Sequence, residues 1–136
     1  MDELPYTEIE HTADWALEVR GGSLADLLVH AAEGMLDLMG AETAPGPSRT
    51  LHLHVQAADA EALLVAWLEE ILVRMELAPV TFSDFQVRVA DSTELEAELR
   101  EGVRGDLEKM IKAVTFHDLR VEHGPSGWKT VVVFDV

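Results

Sequence analysis

The chain has 136 residues, with 26 acidic against 10 basic side chains, a formal net charge of −16 and no cysteine. That length suits one domain with a core large enough to hold itself together, and the lack of thiols excludes disulfides, thiolate metal sites and cysteine nucleophiles. So acidic a surface repels phosphate backbones, so direct binding to RNA or DNA is not expected; a basic protein partner, or solubility alone, fits it better.

The front of the chain, residues 6–20, reads as a strand bent near Asp14. Ser23 opens the first helix, with Asp26 three residues later in a capping-box pattern. Leu24, Leu27, Leu28, Ala31, Met35, Leu38 and Met39 then recur at three- and four-residue spacing, which is an amphipathic stripe. Gly40 closes that helix and Pro45-Gly46-Pro47 marks a loop. In the next strand Leu51, Leu53 and Val55 alternate with Thr50, His52, His54 and Gln56, so one face is solvated. Asp59 caps a second helix whose apolar face is Leu64, Trp67, Leu68, Ile71, Leu72 and Met75, and Pro79 stops it.

Strands follow over Phe85, Val87, Val89 and over Leu95, Ala97, Leu99, with Asp91-Ser92-Thr93 as their hairpin turn. Residues 113–122 and 129–136 make a last pair, joined by His123-Gly124-Pro125-Ser126-Gly127. The order β-α-β-α-β-β-β-β predicts an α+β fold: two helices packed on a mostly antiparallel β-sheet, a single-domain sandwich over residues 1–136. Every apolar run is broken by Glu, Asp or His well before the roughly 18 residues that a membrane span needs. No basic region precedes an apolar run at the front, so a soluble cytoplasmic protein without a signal peptide is expected.

No Walker A loop, G-x-G-x-x-G, G-x-S-x-G or H-E-x-x-H is present. His52 and His54 share a strand face and could pinch a metal, although two such histidines are ordinarily only solvated. The sharper feature is the chain end. Val133-Phe134-Asp135-Val136 is an apolar run that stops on a carboxylate, with Asp135 adding a second. If the opening strand pairs near the closing one, Asp14 supplies a third. Three converging carboxylates repel unless a cation or a basic partner neutralises them; the plainer alternative is a solvated strand end. Lys112, preceding a run of small and apolar residues, reads either as an anchor for such a cluster or as a surface lysine.

Tyr6-Thr7-Glu8-Ile9-Glu10-His11-Thr12-Ala13-Asp14 resembles the opening of the archease family. The likeness continues through Leu24-Ala25-Asp26-Leu27-Leu28, through Leu64-Val65-Ala66-Trp67-Leu68 and through Ile111-Lys112-Ala113-Val114-Thr115-Phe116-His117. It ends on Asp135-Val136. Two departures stand out. Trp15-Ala16 replace an aliphatic residue and glycine, and the segment between Leu99 and Ile111 is short, with Arg104-Gly105-Asp106 nearest to the usual Gly-Glu.

The resemblance implies an activating partner, not itself an enzyme, of the GTP-dependent RNA ligase that joins 3′-phosphate ends in tRNA splicing or RNA repair. Such a partner promotes guanylylation of the ligase and its multiple turnover. It further implies one divalent ion, calcium first with magnesium or manganese as alternatives, on Asp14, Asp135 and the Val136 carboxylate. Asp14, Lys112 and Asp135 are then the candidate activation residues. Two other readings compete: a chaperone-like modulator of a tRNA methyltransferase, and an independent metal-dependent phosphohydrolase on the same carboxylates.

Overall fold

A computed structural model describes residues 5–9 and 15–136 of the chain. The front is a hairpin: β1 (Tyr6–Ile9) runs antiparallel to β2 (Trp15–Gly21), with Ile9 opposite Ala16 and Tyr6 opposite Val19. The single bent strand expected over residues 6–20 is therefore two strands, whose backbone groups satisfy each other across the ladder.

Helix α1 (Leu24–Met39) begins where expected, the Ser23 hydroxyl accepting the Asp26 amide at 3.1 Å. It ends on Gly40, which takes the left-handed conformation (φ 67°) that glycine adopts at low cost. Strand β3 (Thr43–Gln56) contains Pro45-Gly46-Pro47, so the expected loop is instead an irregular strand start. The register slips there, between Thr43 and Ser48. Prolines have no N–H to donate, and an edge strand tolerates that loss.

Helix α2 (Ala60–Leu77) is capped by Asp59, whose carboxylate accepts the Ala62 amide at 2.8 Å. Strands β4 (Val80–Ala90) and β5 (Glu94–Arg104) form the expected hairpin, with Asp91 and Ser92 both at positive φ in the turn. The expected strand over 113–122 breaks in two: β6 (Ala113–Thr115) and β7 (Glu122–Gly124). Between them the Leu119 amide donates to the Phe116 carbonyl at 3.1 Å and Asp118 sits at φ 49°, which is a turn and not extended chain. Strand β8 (Gly127–Asp135) closes the chain.

Two antiparallel sheets result. One runs β1-β2-β8-β6 with β7 also on β8; the other runs β3-β5-β4. The helices lie between them: α1 touches β2 on one side and β4 on the other, and α2 touches β6 and β3. The burial of α2 requires this. Leu63, Leu64, Val65, Trp67 and Leu68 are all buried, and residues so nearly consecutive cannot share one helix face. The α+β expectation holds, with a sheet on each side of the helix pair. Trp67 is core, as its place in the stripe implied: its indole N–H donates to the Leu28 carbonyl at 2.9 Å, and its ring meets Phe85 edge-on at 6.0 Å. Among the described residues no helix is long and apolar enough to cross a membrane.

Candidate functional site

Strand β8 is an inner strand of its sheet, with β2 along one side and β6 along the other. The registers put Trp15 opposite Phe134 and Ala113 opposite Asp135. Two hydrogen bonds pin the end of β8: the Lys112 amide donates to the Asp135 carbonyl at 2.8 Å, and the Thr115 hydroxyl donates to the Val133 carbonyl at 3.0 Å. Helix α2 holds β6 in turn, because the Glu69 carboxylate accepts the Val114 amide at 2.8 Å.

Phe134 is fully buried, Asp135 is exposed, and Val136 packs half-buried against the core. The end of β8 therefore places a carboxylate in solvent, on a strand that is hydrogen-bonded along both sides. Lys112 is exposed beside it, and it meets Asp135 through its main chain. No ion pair among the described residues joins the two side chains. Asp14, with the rest of His11-Thr12-Ala13-Asp14, lies outside the described residues. Trp15, the next residue in sequence, is the first residue of β2. The described donor, the Asp135 carboxylate, is a hard oxygen ligand of the kind a divalent cation takes. Among the described residues no three His, Asp or Glu side chains gather into a metal-holding group.

The histidine alternative is answered by its neighbours. His54 Nε2 lies 2.6 Å from the Glu94 carboxylate, which also accepts from Gln56 at 2.8 Å. The hydrogen bond from His54, then that from Gln56, holds the Glu94 carboxyl below its ordinary range. His52 is exposed on the same face, opposite Glu98.

Several contacts have no signature in the sequence. Lys109 Nζ stands 4.6 Å from the centre of the Trp15 ring, a cation–π contact. Tyr6 donates its hydroxyl to the Asp37 carboxylate at the end of α1. That hydrogen bond, with burial and the negative charge of Asp37 behind it, pushes the Tyr6 hydroxyl up to about 12. The short segment after β5 is stitched onto the same helix end, the Gly105 amide donating to Glu42 at 3.2 Å and the Glu108 amide to Met39 at 2.8 Å. Glu69 and Glu61 accept main-chain amides of Val114 and Val121, yet in sequence they look like ordinary solvated helix residues.

The chain matches the model of the Archease protein family (MTH1598/TM1083) over residues 6–136. It is 34% identical to the protein archease of Methanopyrus kandleri, over 98% of this chain and 100% of that protein. It is 32% identical to that of Thermococcus gammatolerans, over 93% of this chain and 95% of the relative. Among solved structures, an archease from Thermotoga maritima, described as a possible chaperone, superposes with a TM-score of 0.69 at 25% identity, covering 100% of this chain and 98% of that one. The chain belongs to the archease family.

Proposed function

We propose that this chain is a metal-binding activating partner of a GTP-dependent RNA ligase, promoting the ligase's guanylylation and its multiple turnover without catalysing a reaction of its own. The observation that carries the reading is the β2–β8 register. Trp15, the residue after Asp14, lies opposite Phe134, the residue before Asp135. Asp14, Asp135 and the Val136 carboxylate are the proposed ligands of one divalent ion, which when bound supplies the positive charge that such a cluster needs.

The chain's own contribution is placement. Lys112 and Thr115 fix the backbone of β8, Glu69 fixes β6, and Asp135 is held out in solvent at the end of the sheet. A carboxylate so held can meet basic side chains or metal ions in another protein's nucleotide site. Correctly placed charge there lowers a phosphoryl-transfer barrier. The net charge of −16 favours a basic protein surface over nucleic acid.

The test is GTP-dependent ligation by the cognate ligase, kept well below the RNA concentration, with and without this protein. Added protein is expected to raise the yield beyond one ligation per ligase, and Asp135→Ala to abolish that gain. Unchanged turnover, or phosphate release from GTP by the protein alone, would overturn the reading. The chaperone description carried by the Thermotoga maritima relative favours a second reading, in which the acidic body binds basic patches of an RNA-modifying enzyme and keeps it soluble.

A further inference from the structure

A concavity of about 510 Å³ lies beside the hairpin of β1 and β2, between it and the end of α1. Its walls include two aromatic rings, Tyr6 and Trp15, and three carboxylates, Glu8, Asp37 and Glu108. Lys109 is the single basic residue among the described walls. Its ammonium already rests on the Trp15 ring, so the pocket has a cation seat that the chain itself fills. Lys109 is exposed and has a flexible stem, and can swing aside.

The helix end also points to a cation as the occupant. Helix α1 carries no basic residue in its last turn, where the helix dipole is negative, and Asp37 adds negative charge at that very end. The pocket floor is closely packed. A Cβ on Gly34 would come within 2.6 Å of Leu17 Cδ2 and 2.8 Å of Tyr6 Cγ, so the helix approaches the sheet only because glycine stands there.

We propose that this pocket receives an arginine side chain from a basic partner protein, its guanidinium taking the place of the Lys109 ammonium over Trp15 and pairing with the Glu8 and Glu108 carboxylates. Flat aromatic walls together with carboxylates select a planar cation that stacks and bonds in a fork, which arginine supplies and lysine does not. The inference rests on the reading of this chain as a protein-binding protein. It does not depend on the partner being a ligase.

The probe is an end-blocked Gly-Arg-Gly peptide titrated into the full chain, followed by the indole N–H resonance of Trp15, which Trp15→Phe identifies. Saturable binding at least about threefold tighter than that of the matched Gly-Lys-Gly peptide is expected, because only the guanidinium both stacks and forks. Glu108→Gln should weaken it at least about threefold, and Lys109→Met should tighten it by removing the internal competitor. Glu96→Gln with Glu98→Gln, which removes equal or greater charge from the other sheet, should change it less than about twofold. Equal affinity for the two peptides, or equal loss in the distant variant, would show attraction to net charge alone and overturn the proposal. Neither result bears on the ligation assay, so the two failures are distinguishable.

Discussion

Lys112 and Asp135 are joined through the backbone: the Lys112 amide donates to the Asp135 carbonyl at 2.8 Å. Any residue except proline can make that bond, so the contact does not use the ammonium of Lys112. Lys112→Ala keeps the amide and removes only an exposed side chain. Its stability should stay within about 0.5 kcal/mol of the parent by urea unfolding, while activation of the ligase falls. Activation equal to the parent's would return Lys112 to the status of a surface lysine.

The proposed ion is tested without any partner. Asp14→Ala and Asp135→Ala each remove one of three anionic ligands, so calcium or manganese affinity measured calorimetrically should fall at least about tenfold with the fold retained. A short tag after Val136 should weaken the same binding, since it converts the terminal carboxylate to an amide, whereas a tag before Met1 should not. Undiminished binding in both variants would remove the site.

Glu69 gives a prediction about the scaffold. Its carboxylate accepts the Val114 amide at 2.8 Å. Glu69→Ala strands that amide, at a cost of about 1–3 kcal/mol. Glu69→Gln retains an acceptor oxygen and should cost clearly less. Equal losses in chemical denaturation would mean that the hydrogen bond contributes little.

Tyr6 is the only tyrosine in the chain, so its ionisation can be followed by ultraviolet absorbance without interference. Its hydroxyl, held by Asp37, should titrate at about 12 in the folded protein against an ordinary value of 10.0. A raised folded value means that the neutral hydroxyl is the stabilised form. The contribution is therefore complete below about pH 10, and it is lost as the pH rises toward 12. Asp37→Asn should bring the titration back toward 10.0. A parent midpoint already there would contradict the contact.

Both helices were legible in the sequence because period and caps agreed. Ser23 and Asp59 bond the amides expected of them, and the apolar stripe of α2 is buried throughout. The hairpin turn at Asp91 and Ser92 was legible for the same reason, since its residues tolerate positive φ. The strands were less so. An alternating run does not reveal where a chain reverses, so the front hairpin and the segment through the turn after Thr115 each look like one strand in the sequence. The second sheet leaves only an indirect trace in the sequence, the run Leu63, Leu64, Val65, Trp67 and Leu68 that is too dense for one helix face.

The site divides in the same way. Asp135 and Lys112 stood out by position and resemblance, and the ladder brings them together. Glu69, Lys109 and the Tyr6–Asp37 pair act across 31 to 94 residues of chain, and nothing local in the sequence marks such contacts.

The proposed action of this chain on another protein's guanylylation can be measured with labelled GTP. Cognate ligase is incubated with labelled GTP and the divalent ion, and the covalently labelled ligase is followed in time with parent protein, with Asp135→Ala, and with neither. Faster labelling of the ligase is expected with the parent, none of that gain with Asp135→Ala, and no label on the chain itself. Labelling at the same rate in all three mixtures would contradict the proposed action.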